Sequence, residues 1–413
     1  MPSLPDDQNQ TDVPGDNTDV SNYHHLLRRL RTDPADTVWY LVSEVGPRSA
    51  TSLEEAQTAA FLAGRFRRAG LQVSVDPFAS PTSVGWDGIV LGLFGLSAVI
   101  IFYWWPIVSL GVIVLCLTFA VWRLFRLAKP FIVQQRISQN VIGTRVMSQS
   151  PVWRVVLTAP LDAPPVIDRP FRRFVQGYRP FMGRVIACIV VLLLMIVYLI
   201  YVDPVWWYAQ IPFITYILFL TAIDGYTLFA PTSPGAVSHA GATAVLLSSA
   251  EMLTDTEHVE LWFVGLGATT TGTGINDLLE RYPFEFDRTL FISLEGIGHG
   301  ELSYITQEGF MQNCAADHFI LDIAAKADSA DPFIDIEPRL FYDGLTHGGV
   351  LRRLGWRVLT ITCLNDSGHV PHYASMSDKS HIVDTMILDR AVRMVVACVR
   401  QIDSIKTSDD VHS

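Results

Sequence analysis

Two long stretches of the chain are almost uniformly apolar. The first, residues 88–122, contains no Asp, Glu, Lys or Arg. One straight helix over this stretch would be ~50 Å long, whereas the hydrocarbon core of a bilayer is ~30 Å thick. Because an aromatic run ending in Trp105 and the helix breaker Pro106 lie at its centre, the pattern predicts two short membrane helices joined there. A single tilted span with a re-entrant piece is the alternative.

The second apolar stretch is divided at Asp203 and Pro204. Residues 185–202 and 204–223 carry no charged side chain, and aromatic residues again follow the break. The same argument predicts a second hairpin, so the two hairpins together give about four transmembrane helices.

Outside these stretches, helix and strand patterns alternate. A capping box of Ser52 and Glu55 precedes a helix that ends at Gly70, and residues 71–75 alternate like a strand. Further strands are predicted at 152–158, 259–264, 289–294 and 358–362, and further helices at about 240–253 and 382–402. This order predicts an α/β fold, a three-layer αβα sandwich around a mixed, mostly parallel sheet. Functional loops are then expected beyond the carboxyl ends of the strands.

Composition supports a membrane protein. Of the 413 residues, 50% are hydrophobic and only 17% are charged, against about 25% charged in an ordinary soluble domain. The net charge is −11, and no basic cluster lies beside exposed aromatic residues, which argues against nucleic-acid binding. The five cysteines are scattered and odd in number, which argues against a disulfide framework and favours a reducing compartment.

The basic residues near the hairpins predict their orientation. They all flank the hairpin bases, whereas the two tips contain no Lys or Arg. The flanking residues are Arg123, Arg126, Lys129, Arg136, Arg169, Arg172, Arg173, Arg179 and Arg184. Since positive charge stays in the cytoplasm, an even number of spans predicts a multi-pass integral membrane protein whose polar segments and both termini are cytoplasmic. The lipid bilayer is then its first partner.

Eight short segments of the polar chain form a recognisable series. In chain order they are Gly46-Pro-Arg-Ser49, Phe66-Arg-Arg-Ala-Gly-Leu-Gln-Val73, Asn140-Val-Ile, Val155-Val-Leu-Thr-Ala-Pro-Leu-Asp162, Pro234-Gly-Ala-Val-Ser-His-Ala-Gly241, the strand and loop at 259–274, Ser293-Leu-Glu-Gly-Ile-Gly298 and Tyr373-Ala-Ser-Met-Ser-Asp378. This series resembles the zinc aminopeptidases of metallopeptidase family 28, whose relatives include glutaminyl cyclases and the nicastrin and nicalin ectodomains. The order of the segments carries the resemblance, since no single motif is decisive.

The resemblance implies a division of the chain. A disordered acidic tail (1–22) precedes a peptidase-like domain in three parts (23–85, 128–180 and 231–405), and a short tail (406–413) ends the chain. The two transmembrane hairpins (86–127 and 181–230) would be insertions into that domain.

The family's zinc site has only one ligand position filled by a metal-binding residue. Pro160 stands at the first ligand histidine, Ser238 at the bridging aspartate and Ala374 at the last ligand histidine. Glu295 stands at a ligand aspartate and is the one position that still offers a carboxylate.

The family's catalytic base is missing as well. Thr269 and Thr270 stand at two adjacent glutamates, of which one is the general base and the other a ligand. Two supporting aspartates of the family are retained as Asp162 and Asp378, and we expect hydrogen bonds from loop amides to Asp162 and Glu295. A hydroxyl cannot accept a proton from water near neutral pH.

This comparison predicts a pseudoenzyme. No catalytic residue, metal or cofactor is expected, and the chain would act in binding or scaffolding, with a protein or peptide partner of unknown identity.

Two alternatives remain. In the first, His239, Glu295 and His372 form a relocated single-zinc site of an active membrane-bound hydrolase or peptidase, since three protein ligands plus water is a catalytic zinc arrangement. His299 and Glu301 would be able to join this site, whereas a surface position is expected for His347 near Asp343. In the second alternative, the protein is a small transporter centred on Asp224. Four short spans without internal charge pairs make this the weaker hypothesis.

Overall fold

One mixed β-sheet organises the polar part of the chain. The computed structural model of the protein describes residues 33–83, 85–125, 135–146, 151–167, 171, 174, 178–309, 314–341 and 346–405. The strands are β1 (Gln72–Pro81), β2 (Gln135–Val146), β3 (Trp153–Pro160), β4 (Val259–Leu266), β5 (Thr289–Leu294), β6 (Glu301–Glu308), β7 (Cys314–Ala315), β8 (Glu337–Phe341) and β9 (Arg357–Leu364). Their order is β1-β2-β4-β3-β5-β9-β6-β7, and β8 also pairs with β6.

Parallel pairing is confined to part of this sheet. The central strands β4, β3, β5 and β9 are parallel to one another, and β8 is parallel to β6. The other four pairings are antiparallel. The sheet is therefore mixed, as predicted, but the prediction of a mostly parallel sheet is wrong. The sequence pattern identified the central buried strands and β1, but it missed β2, β6 and β7, which pair antiparallel with their neighbours.

Helices cover both faces of the sheet. The helices are α1 (Pro34–Trp39, continued by a π-helical turn, Tyr40–Val45), α2 (Leu53–Arg68), α3 (Trp86–Phe102), α4 (Pro106–Phe125), α5 (Tyr178–Tyr201), α6 (Pro204–Tyr208), α7 (Ile211–Leu228), α8 (Gly241–Met252), α9 (Thr273–Arg281), α10 (His318–Ala330), α11 (His347–Arg353) and α12 (Thr385–Asp403).

Side chains alternate between two cores along the central strands. Val155 and Leu157 of β3 pack with α2, α8, α10 and α12, whereas Val156 packs with α9 and α11. Each core is built from buried aliphatic and aromatic residues on both the strands and the covering helices. This confirms the predicted three-layer α/β arrangement, because a strand buried on both faces must contribute apolar residues to each layer.

The two apolar stretches fold into helical hairpins that pack together. The first hairpin breaks between Phe102 and Pro106, as predicted. The segments Phe181–Tyr201 and Pro204–Leu228 are long and apolar enough to cross a membrane, whereas the apolar helices Gly88–Phe102 and Pro106–Ala120 are shorter. Two of the four predicted spans therefore have the required length, and a total of four stays a prediction.

A buried ion pair lies inside this helical bundle. Arg184 of α5 donates to the carboxylate of Asp224 on α7, and both side chains are buried. Helix α3 passes very close to them, since a Cβ on Gly88 would lie 1.9 Å from Asp224 Oδ2. The expectation of no internal charge pair is therefore wrong. Arg184 was placed among the flanking cations, and only the packing of α5 against α7 brings it to Asp224.

Several predictions concern residues outside the described ranges. They are the tails at 1–22 and 406–413, the position of Asp343, and the basic residues Arg126, Lys129, Arg169, Arg172 and Arg173.

Candidate functional site

The carboxyl ends of the central parallel strands gather the predicted site residues. Asp162 follows β3, the turn Thr269–Thr271 follows β4 and Glu295 follows β5. Ser238 and His239 lie in a π-helical turn, Ala236–Ala240, at the start of α8. The parallel strands end at one edge of the sheet, which is where sites form in such folds.

Asp162 is fully buried and accepts hydrogen bonds from two threonines. The backbone N–H of Thr269 donates to Oδ1 over 3.1 Å, and its hydroxyl donates to the same oxygen. The backbone N–H and hydroxyl of Thr270 donate to Oδ2 over 2.9 and 2.7 Å. Loop amides therefore hydrogen-bond to Asp162, as expected from the sequence. Thr269 and Thr270, which the sequence resemblance matches to two glutamates, also donate their hydroxyl hydrogens to the two oxygens of this carboxylate.

Asp378 has a similar environment around Ser238. Its Oδ1 accepts from the Val237 N–H over 2.6 Å, and its Oδ2 accepts from the N–H and hydroxyl of Ser238 over 3.1 and 2.5 Å. The Ser238 oxygen in turn accepts from the Ala374 N–H over 3.3 Å. Burial outweighs these hydrogen bonds and raises the pKa of Asp378. Ser238 thus links two loops through hydrogen bonds, at the position that the sequence resemblance matches to a bridging aspartate.

Glu295 is held by His347, a residue that the sequence placed at the surface. His347 is 7% exposed, its Nδ1 lies 2.9 Å from Glu295 Oε2, and its backbone N–H donates to the same oxygen over 3.2 Å. Its Nε2 lies 3.2 Å from the Thr158 hydroxyl. The surface prediction is wrong because Thr346 caps α11 through the Gly349 N–H and so places the first turn of this helix against Glu295. The capping Thr346 is the sequence feature that predicts a helix beginning at His347.

These contacts set the charge of Glu295. Burial alone would raise its pKa, but the hydrogen bond from His347 and the electrostatic interactions with His347 and His239 lower the pKa below its ordinary value. Glu295 is therefore a stable carboxylate, and the one ligand-type residue at the family's positions has a histidine as its fixed partner.

Two further buried residues belong to the site and were missed as site residues. Glu55 was identified only as part of a capping box. Ser52 does cap the Glu55 N–H, but the Glu55 carboxylate accepts from the N–H groups of Thr51 and Ala268 over 2.7 and 2.6 Å and from the Ser138 hydroxyl over 3.1 Å. Burial, together with the nearby charge of Asp162, raises the pKa of Glu55 to about 8.

The second missed residue is Arg48, in the segment that begins the resemblance. Its guanidinium donates to the carbonyls of Leu41, Gly46 and Gly235. Burial lowers its pKa to about 10, although Asp378 and Asp162 oppose that shift. A buried cation therefore lies near the two retained aspartates.

The relocated-site residues do not form one group. His239 Nδ1 lies 2.5 Å from the Asp162 carbonyl, which only accepts, so this nitrogen carries the hydrogen. His239 is close enough to Glu295 to interact with it electrostatically and contribute to the lowered pKa of that carboxyl. The ring of His372 instead lies beside His299, with centroids 5.3 Å apart. Within the described ranges, no three His, Cys, Asp or Glu side chains are grouped so that they would hold a metal ion.

The residues that the sequence resemblance matches to the family's zinc site do not fit a zinc ion. Such a site uses three or four imidazole, thiolate or carboxylate ligands, whereas proline, alanine and three hydroxyl residues stand at five of the aligned positions. The carboxylates of Asp162, Asp378 and Glu295 already accept hydrogen bonds from threonine, serine and histidine. We therefore derive no chemical step through a metal at this position.

Comparison with known proteins establishes the fold. No protein-family model and no curated protein matches the chain. Among solved structures, a zinc aminopeptidase from Bacillus subtilis matches 91% of this chain and 97% of its own at 14% identity and a TM-score of 0.55. An aminopeptidase from Aneurinibacillus sp. strain AM-1 matches 89% and 93% at 13% identity and a TM-score of 0.53. A Bacteroides thetaiotaomicron glutaminyl cyclase bound to N-acetylhistamine matches 89% and 96% at 13% identity and a TM-score of 0.53.

These similarities show that the protein has the α/β fold of the zinc aminopeptidases. The fold that the sequence resemblance implied is thereby confirmed. Activity is a separate matter, because one fold carries many functions and the function depends on the residues at the site.

Proposed function

We propose that the protein is a membrane-anchored pseudopeptidase, in which a cytoplasmic domain of aminopeptidase fold has lost catalysis and binds or scaffolds a protein or peptide partner. The observation that carries this proposal is the pair Thr269 and Thr270, whose hydroxyls donate to both oxygens of Asp162. Residues that would have to activate water or bind metal instead complete a hydrogen-bonded network.

The chemistry of that network opposes hydrolysis. A general base must accept a proton near the working pH, which a threonine hydroxyl does not do. The network also replaces the stabilising role of a metal, since the buried carboxylates of Asp162 and Asp378 have amide and hydroxyl donors and the nearby charge of Arg48. A buried polar network whose members have partners makes a stable site without an ion.

The helical bundle supports the membrane assignment. Its helices turn large apolar side chains outward, such as Leu93, Ile186 and Leu218, which are each more than half exposed, while Arg184 and Asp224 are buried. The aromatic residues at the first hairpin tip are also exposed, as expected where a helix meets the membrane interface. Apolar side chains on the exterior, with the charged pair inside, suit a bilayer.

Restoring the family residues tests the loss of the metal site. We expect the variant Pro160→His, Ser238→Asp, Thr269→Glu, Thr270→Glu, Ala374→His to gain bound zinc, because it supplies imidazole and carboxylate ligands beside Glu295. The measurement is elemental analysis of detergent-purified protein that has never contacted a nickel column. A variant with only Ser238→Asp and Ala374→His is the control and should bind less zinc. A correctly folded five-residue variant without zinc would show that the residue matching is wrong.

A reporter fused after Ser413 tests the orientation. We expect it to be cytoplasmic, because the positive residues flank the hairpin bases and an even number of spans returns the chain to the same side. The control is a reporter inserted at the Trp104–Pro106 tip, which should lie on the opposite side. A C-terminal reporter outside the cytoplasm would overturn the orientation.

An active hydrolase with metal on His239, Glu295 and His372 is the second candidate function. The interaction between His239 and Glu295 favours it, whereas the position of His372 beside His299 does not. Its test is whether His239→Ala removes metal from the purified protein while the fold is retained.

A further inference from the structure

We propose that residues 23–32 of this chain dock, as an amphipathic segment, into a groove between α1 and the start of α12. The groove has a volume of about 320 Å³, and its lining includes Val38 and Trp39 of α1 on one side and Val383 on the other. The segment directly precedes Asp33, the first described residue. The inference is independent of whether the domain catalyses a reaction or binds a partner.

The groove is apolar and open to solvent. Val38 in its lining is 1% exposed, whereas Trp39 is 54% exposed and Met386, which follows the lining residue Thr385, is 70% exposed. Large apolar side chains exposed around one groove mark an interaction surface. A cavity of ~150 Å³ holds one benzene ring, so this groove has room for about two leucine side chains.

The segment 23–32 has the side chains that such a groove needs. Its large apolar residues recur at the i, i+3, i+4, i+7 spacing by which an amphipathic helix anchors in a groove. These residues are Tyr23, Leu26, Leu27 and Leu30. The other positions include the cations Arg28, Arg29 and Arg31. On a helical wheel the segment therefore has one apolar face and one basic face.

The rim of the groove carries the opposite charge. Asp36 of α1 is exposed, as are Asp384 and Asp389 at the start of α12. These three carboxylates outnumber the basic residues Lys379 and His381 on the same rim. Because exposed ion pairs contribute little to affinity, the leucines would supply most of the binding and the arginines its orientation.

The covalent connection places the segment within reach of the groove. Asp33 caps α1 by accepting from the Ala35 N–H over 2.8 Å, and the groove follows α1 from Ala35 to Trp39. A ten-residue helix spans ~15 Å, which exceeds the length of the 6-residue α1. A segment on a short tether also has an effective concentration in the ~mM range, so weak contacts suffice for docking.

The groove adjoins the candidate site. Helix α1 and the single turn Ser380–Ile382 both contact the π-helical turn Ala236–Ala240, which carries Ser238 and His239. A docked segment would therefore lie against two elements that hold this turn in place. Docking connects the N-terminal part of the chain to the loops of the candidate site.

Photo-cross-linking in the full-length protein tests the proposal. A diazirine analogue of leucine replaces Leu27, and the protein is irradiated in nanodiscs that contain neutral and anionic lipid. We expect cross-links within one chain to residues 35–39 or 380–386, identified by mass spectrometry. The same analogue at Gln10 is the control and should not reach the groove.

Each other product of this experiment overturns the proposal. A product of twice the chain mass at the same residues would show that a second copy supplies the segment. Cross-links to lipid would place the basic segment on the membrane surface. Cross-links to other parts of the chain, or none above the Gln10 control, would show that the groove does not hold residue 27.

Trypsin cleavage after Arg28, Arg29 and Arg31 gives a second measurement. We expect cleavage of the wild type to be slower by about tenfold or more than that of Leu26→Asp, Leu30→Asp, because loss of one buried leucine shifts an equilibrium by that factor. Cleavage then follows the fraction of undocked segment. Equal rates in the two proteins would overturn the proposal.

Charge reversal on the rim provides an independent variant. Asp389→Lys should speed trypsin cleavage of the segment and reduce cross-linking, whereas Asp322→Lys, at an exposed position of α10, is the matched control and should behave like the wild type. Combining Asp389→Lys with Arg28→Glu, Arg29→Glu should restore cross-linking. Equal cleavage of Asp389→Lys and the control would remove the charge argument and, with it, this choice of occupant.

Discussion

Raising the pH from about 4.5 to about 8 is expected to lower the free energy of unfolding through Glu55. The pKa of this buried carboxyl is raised from 4.5 to about 8, first by burial and then by the charge of Asp162. The folded state therefore holds the Glu55 proton more tightly than the unfolded chain does. Its contribution to stability is fully present below about pH 4.5 and is lost as the pH rises through about 8, and it amounts to something on the order of 5 kcal/mol.

The variant Glu55→Gln isolates this effect because the amide cannot ionise. Thermal or denaturant unfolding of the detergent-purified protein is measured between pH 4.5 and 8.5, and the slope of stability against pH is compared. We expect the difference in the free energy of unfolding between wild type and Glu55→Gln to change steeply over this pH range. Glu54→Gln on the same turn of α2 is the matched control and should follow the wild type. Parallel curves for wild type and Glu55→Gln would contradict the raised pKa.

The second large effect is expected from Asp224→Asn in the helical bundle. The substitution preserves the shape of the side chain but leaves the buried Arg184 guanidinium without its counter-charge. Breaking a buried ion pair by removing one partner typically costs about 3–5 kcal/mol. We therefore expect a clearly lower unfolding midpoint in detergent.

Two comparisons separate the ion pair from general damage to the bundle. The double variant Arg184→Met, Asp224→Leu removes both charges and should recover most of the lost stability, since apolar residues of similar volume often replace buried pairs at no net cost. Gly88→Ala should also destabilise, because its Cβ would lie 1.9 Å from Asp224 Oδ2, whereas a Cβ on Gly225 has nothing within 4 Å and Gly225→Ala is the matched control.

The same variant examines the transporter hypothesis. If Asp224→Asn unfolds like the wild type, the pair has no structural role. If that folded variant also abolishes substrate flux in liposomes, transport through the bundle becomes the better proposal. Lower stability with no flux in either protein would support the ion pair as a structural connection between α5 and α7.

Local patterns predicted the central elements well. Residues 289–294 were predicted as a strand and form β5 with the same bounds, because a short run of buried apolar residues between polar segments has few other structures available. The break near Pro106 was also correct, since proline limits the helix irrespective of its surroundings. The flanking strand β6 was missed because its residues, including Ser303 and Thr306, do not form such a run.

The residues at the site were only partly predictable. Asp162, Ser238, Thr269 and Glu295 lie together because each follows a strand or begins a helix at one edge of the sheet. Glu55 and His347 lie in the first turns of α2 and α11. Only the packing of these helices against the sheet brings the two residues to that edge. Ser52 and Thr346 show where these helices begin, but nothing local to Glu55 or His347 shows that either side chain is buried at the site.

The sequence by itself determined the apolar hairpins and the alternating α/β order, because hydrophobic periodicity is a local property. The loss of ligand types at the family's site stays a prediction from the resemblance. Only the tertiary structure decided which polar groups meet. It brought Arg184 to Asp224, His347 to Glu295, and His299 to His372. These contacts join residues far apart in the chain, and a buried charge or hydrogen bond acquires its pKa and its strength from neighbours that only folding supplies.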